Sequence, residues 1–107
     1  MTDTINIQIT KTQKSNLTEL DYNNIAFGKM FSDHMFTADY KDGKWTNFEI
    51  LPYQPLTLSP ATSAIHYGQS IFEGMKANKN IDGKTVVFRP LENANRLNIS
   101  AKRMCMP

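Results

Sequence analysis

The dipeptide Asp42-Gly43, set between two alternating apolar stretches, constrains the fold more than any other feature of this chain. Upstream runs His34-Met35-Phe36-Thr37-Ala38-Asp39-Tyr40, and downstream runs Trp45-Thr46-Asn47-Phe48-Glu49-Ile50. Asp-Gly tolerates the successive positive φ angles of a primed turn, whose twist matches that of paired strands, so a β-hairpin is predicted from His34 to Leu51. Pro52, Pro55 and Pro60 follow; each removes a backbone donor and fixes φ, so the ladder stops and a loop begins.

Around that hairpin the pattern is read from period and punctuation. Ile5, Ile7 and Ile9 alternate with polar residues and predict a short strand with one buried face. Lys11 to Asn24 is polar, anchored only by Leu17, Leu20 and Tyr22, and predicts a surface connection. Ser59-Pro60 is a helix start, so a short helix is expected over Ala61 to about Tyr67, ended by Gly68. For Ser70 to Lys79 periodicity leaves helix and strand open, because Ile71, Phe72 and Met75 would suit a helix. The turn signal Asp82-Gly83 and the β-branched run Thr85-Val86-Val87-Phe88 need an antiparallel neighbour, which favours strand. Pro90 opens a last helix ending near Met106-Pro107, with an apolar stripe of Leu91, Ala94, Leu97, Ala101 and Met104 expected to be buried on a sheet. Asn93, Arg96, Ser100 and Arg103 follow the adjacent face, so Arg96 lies beside the stripe. Strands and helices without regular alternation predict an α+β fold.

Length and composition narrow the function. A chain of 107 residues is one domain at most. With 40% hydrophobic and 21% charged residues it has the composition of a globular protein rather than a disordered one. Twelve basic against ten acidic residues give a net charge of +2 without a basic aromatic patch, so nucleic acid is not an expected partner. The single Cys105 allows no internal disulfide, no zinc-type spacing is present, and no metal is expected. The N-terminus lacks a basic then apolar leader and no apolar run approaches the roughly 20 residues of a membrane span, so a cytoplasmic, membrane-free setting is expected. The only arginines, Arg89, Arg96 and Arg103, fall in the last segment at a spacing of seven residues.

Three anchors carry a resemblance: Phe27-Gly28-Lys29-Met30-Phe31-Ser32-Asp33-His34-Met35; Ser63-Ala64-Ile65-His66-Tyr67-Gly68-Gln69-Ser70-Ile71-Phe72-Glu73-Gly74-Met75-Lys76-Ala77; and, after Val87-Phe88-Arg89-Pro90, Arg96-Leu97-Asn98-Ile99-Ser100-Ala101-Lys102-Arg103. In this order, from about Ala26 to Pro107, they resemble the N-terminal part of a branched-chain aminotransferase, a fold-type IV enzyme dependent on pyridoxal 5'-phosphate (PLP). The resemblance implies that residues 1–107 are the incomplete small domain, a mainly antiparallel sheet with packed helices, and that the large lysine-bearing domain is absent. The Schiff-base lysine would lie beyond Pro107, so no catalytic residue is expected here and this stretch alone is expected to be inactive. The implied reaction moves the amino group of leucine, isoleucine or valine to 2-oxoglutarate. Its partners are small amino acids and 2-oxo acids, and a second copy in a homodimer of the full-length protein.

The same resemblance assigns roles residue by residue. Arg96 would bind the PLP phosphate, a task suited to a planar fork of N–H donors; without the resemblance it is a solvated arginine on a helix flank. Tyr67 would line the substrate site, and Phe27 and Phe72 would shape the pocket for the branched side chain; each is otherwise a plain core aromatic. Arg89, expected in extended backbone before Pro90, His66, Glu73 and Gly74 are read as structural, Gly74 within a strand and Glu73 through a hydrogen bond. Another fold-type IV enzyme, such as a D-amino-acid aminotransferase or aminodeoxychorismate lyase, is the nearer alternative. A non-catalytic piece that only folds, dimerises or binds an anion is the more distant one.

Overall fold

A computed structural model describes residues 4–107, which fall into two compact units divided between Thr57 and Leu58. The first unit is built on the hairpin. Strands β2 (His34–Lys41) and β3 (Lys44–Pro52) pair antiparallel, Lys41 facing Lys44 across Asp42 and Gly43. Asp42 (φ 52°) and Gly43 (φ 79°) are both left-handed, as a type I′ turn requires. The register shifts between Thr37 and Asp39, where Asn47 (φ 52°) makes a bulge and donates its side-chain amide to Asp39 at 2.7 Å. Cross-strand aromatics reinforce the pairing, with Tyr40 edge-on to Trp45 at 5.2 Å. An added Cβ at Gly43 would meet nothing within 4 Å, so its cost is purely conformational. Gly43→Ala should therefore destabilise by about 1–2 kcal/mol, checked by urea unfolding of a full-length enzyme carrying these residues.

Strand β1 (Gln8–Ile9) adds to the other edge of β3 in parallel, Gln8 opposite Glu49, giving the order β1-β3-β2 and a mixed rather than wholly antiparallel sheet. The buried face expected for Ile5, Ile7 and Ile9 is not formed: all three are exposed, because among the described residues no α-helix of this unit covers the sheet. The polar stretch after β1 runs over the surface as expected and is tied down by side chains. The Asp33 carboxylate accepts from the Ser15 hydroxyl at 2.6 Å and the Asn16 N–H at 2.9 Å, and these bonds, the hydroxyl's first, hold its pKa below the ordinary range. A 3₁₀ turn, Leu17–Glu19, follows.

In the second unit the helix start comes later than predicted. Ser59 and Pro60 form a turn, with the Thr62 N–H donating to the Ser59 carbonyl at 3.0 Å, and α1 spans only Ser63–Tyr67. Gly68 ends it in the left-handed conformation (φ 62°), as the sequence predicts. The strand expected over Ser70 to Lys79 shrinks to β4 (Ala77–Lys79), paired antiparallel with β5 (Thr85–Val87). Three residues are all that β5 offers as a partner, so Ser70 to Lys76 finds no ladder and Gly74 lies outside any strand. The turn is a type I reversal closed by the Gly83 N–H on Asn80, with Gly83 left-handed (φ 76°).

Helix α2 (Pro90–Arg103) begins with proline in its first turn, as predicted. It closes with a Schellman pattern, the Met106 N–H on the Ala101 carbonyl and the Cys105 N–H on that of Lys102. Two expectations fail here. Arg89 is left-handed (φ 46°), not extended, because two residues must turn the chain from β5 into α2; its guanidinium pairs with Glu92 at 2.7 Å. The stripe of Leu91, Ala94, Leu97 and Ala101 is not buried on a sheet. Leu91 is 77% and Leu97 37% exposed, Ala94 is exposed, and the sheltered positions are Asn93, Ser100 and Ala101. The short β4–β5 ribbon offers no face to the helix, which is held instead by its polar flank, described below. Among the described residues no side chain is fully buried, and no helix is long and apolar enough to cross a membrane.

Candidate functional site

The polar flank of α2 meets the chain segment that precedes β4. In this stretch, which joins no ladder, Ile71 and Glu73 are partly sheltered while Phe72 between them is exposed. Glu73 is set against the first two turns of α2. Its Oε2 accepts from Arg96 Nε at 2.5 Å, and its Oε1 accepts from Arg96 Nη2. Oε1 also accepts the Gly74 N–H at 2.8 Å and Asn93 Nδ2 at 3.3 Å, and Asn93 Nδ2 reaches the Gly74 carbonyl at 2.8 Å. Asn93 and Arg96 stand three residues apart, so both reach the same neighbour from one face.

The electrostatics follow. The bond from Arg96 is the chief reason the Glu73 carboxyl is held down to about 2, from an ordinary 4.5, with the Gly74 N–H second. The same bond raises Arg96 above its ordinary value. A depressed carboxylate contributes to the folded form above its ordinary pKa and loses that contribution as pH falls through its folded pKa, here between 4.5 and about 2. Carboxyl carbon NMR of Glu73 should therefore give a midpoint near the lower value; a midpoint at the ordinary one would mean the clamp is not populated.

A guanidinium carries five N–H donors, and Glu73 engages Nε and one hydrogen of Nη2. The Nη1–Nη2 edge remains. The Arg96 side chain is 65% exposed while that of Glu73 is 11% exposed, so the cation faces outward from a sheltered anion. An exposed, oriented guanidinium edge has the donor geometry that suits a two-oxygen anion such as phosphate or carboxylate.

The other residues singled out in the sequence do not join this cluster. Tyr67, the last residue of α1, is 81% exposed. Phe72 lines an open apolar groove with Ser70, Ile71, Ile99 and Met104, which includes neither Arg96 nor Tyr67. Phe27 belongs to the first unit, where its ring is fully exposed beside the left-handed Gly28. None of the three is a core aromatic within this chain. His66 places Nε2 on the Pro60 carbonyl at 2.5 Å, a local bond that agrees with its structural reading, as the bonds to Glu73 do with its own. What the sequence reading missed is that the partner of Glu73 is Arg96. A carboxylate following Ile71-Phe72, and an Asn and an Arg at helical spacing, were the available signals.

No family model matches the chain. Among curated proteins, it is 45% identical over 105 residues to branched-chain-amino-acid aminotransferase 2 of Bacillus subtilis, covering 97% of this chain and 28% of that protein. It is 49% identical over 88 residues to branched-chain-amino-acid transaminase 1 of the same organism, covering 81% of this chain and 25% of that protein. With the cytosolic branched-chain-amino-acid aminotransferase of Saccharomyces cerevisiae it shares 42% identity over 106 residues, 98% of this chain. The chain thus spans between 25% and 28% of the length of these two Bacillus relatives.

Proposed function

We propose, starting from a chain that belongs to the branched-chain-amino-acid aminotransferase family, that it supplies the phosphate-binding edge and part of the substrate wall of a PLP-dependent transaminase. The reaction is transfer of the amino group of leucine, isoleucine or valine to 2-oxoglutarate, giving the branched 2-oxo acid and glutamate. The observation that carries this reading is similarity to proteins of that name over nearly the whole chain, 45% identity across 97% of it for one Bacillus relative. A homodimer of the complete protein and a cytoplasmic setting belong to the same reading, the second supported by the yeast relative, which is named as cytosolic.

The donor set of the described residues fits the cofactor's phosphate. Arg96 would hold it through the Nη1–Nη2 edge that Glu73 leaves open. When bound, PLP supplies the electron sink that lets an amino acid lose its Cα proton. Tyr67 would offer a flat apolar wall and one phenolic hydrogen bond to the substrate, and Phe27 and Phe72 apolar surface for a branched side chain. All three rings are exposed, as groups must be that meet a ligand or other parts of a complete enzyme rather than this chain's own interior. Tests on a full-length enzyme carrying these residues would follow glutamate formed from 2-oxoglutarate with each branched amino acid. Equimolar glutamate and branched 2-oxo acid are expected. Turnover of D-alanine alone, or none with any branched substrate, would overturn the reading.

A further inference from the structure

We infer that Glu73 is a positioning residue for Arg96, fixing the guanidinium plane so that its Nη1–Nη2 edge stands ready for two phosphate oxygens. The inference rests on the reading of Arg96 as the phosphate anchor and adds a residue to it. Glu73 is itself immobilised. Oε1 is shared by the Gly74 N–H, Asn93 Nδ2 and Arg96 Nη2, Oε2 takes Arg96 Nε, and Asn93 is pinned in turn on the Gly74 carbonyl. A carboxylate fastened to its own backbone neighbour cannot follow a swinging arginine, so the arginine is held to the carboxylate.

Two effects compete at this pair. Glu73 cancels part of the positive charge that attracts a phosphate, and it removes the rotamer freedom that Arg96 would otherwise lose on binding. The phosphate edge is the one turned away from the carboxylate, and the guanidinium is largely in water, where a neighbouring charge is heavily screened. Ordering of a long side chain is not screened, so positioning outweighs cancellation. Immobilising such a side chain in advance is worth about a 2- to 10-fold gain in affinity.

The test compares dissociation constants of PLP and of pyridoxal, which lacks the phosphate, in a full-length enzyme carrying these residues. Glu73→Gln should weaken PLP about 2- to 10-fold and leave pyridoxal unchanged. With Arg96→Ala in place, adding Glu73→Gln should weaken PLP no further. Unchanged or tighter PLP binding in Glu73→Gln, or equal weakening of both ligands, overturns the positioning role while leaving the anchor intact. Arg96→Ala without a selective loss of PLP overturns the anchor itself. If Glu73→Gln does not fold, Asn93→Ala keeps the carboxylate and removes one brace. It should give a smaller loss selective for PLP, and no selective loss would overturn the inference.

Discussion

Arg96→Ala in a full-length aminotransferase carrying these residues lowers PLP affinity by roughly 10- to 150-fold, the loss of a charge-assisted hydrogen bond of about 1.5–3 kcal/mol. Arg96→Lys keeps the charge but has no planar fork, so its affinity falls between the two. Arg89→Ala leaves PLP affinity unchanged. Its guanidinium is engaged at 2.7 Å by Glu92 in an exposed pair, and such pairs contribute at most about 1 kcal/mol to stability. Titration of the apoenzyme with PLP, read by fluorescence or absorbance, separates these variants. Cofactor loss in Arg89→Ala with retention in Arg96→Ala would transfer the anchor to Arg89.

A polypeptide of residues 1–107 by itself is expected to show no transaminase activity and no cooperative unfolding transition. Folding must offset a conformational entropy of about 1–2 kcal/mol per residue, chiefly by burying apolar surface. No side chain among the described residues is fully buried, and large apolar groups such as Phe27, Phe72, Phe88 and Leu91 are mostly exposed. Activity also needs a lysine to carry the cofactor chemistry, which the family reading puts outside these residues. Incubation with PLP and borohydride should therefore label no single lysine stoichiometrically. A sharp urea transition, or one uniquely labelled lysine, would contradict this.

Local structure was legible in the sequence wherever one or two residues decide the backbone. Asp42-Gly43 closes the hairpin, Gly68 ends α1 and Pro90 opens α2, because positive φ or a missing N–H leaves few choices. Burial was not legible. The periodicity of Leu91, Leu97 and Ala101 states which face of α2 is apolar but not what covers it, and within this chain the helix is held by Asn93 and Arg96 instead. Arg89 was misjudged for a related reason: the rule for residues before proline is a local preference, and the short passage from β5 into α2 overrides it. Arg96 was singled out through family resemblance; the helical spacing of Asn93 and Arg96 marks a shared polar face, but nothing local says that Glu73, distant in sequence, is what meets it. The pair exists because the segment before β4 brings Glu73 against α2, and only the fold tells which element waits there.

The central claim is that the free edge of Arg96 is where the cofactor's phosphate binds. A crystal structure of the full-length enzyme with PLP tests it most directly. The account predicts two phosphate oxygens at about 2.7–2.9 Å from Nη1 and Nη2 of Arg96, with Nε and the inner hydrogen of Nη2 still on Glu73. A phosphate held without Arg96, with the guanidinium closed on Glu73 and turned from the cofactor, would contradict it.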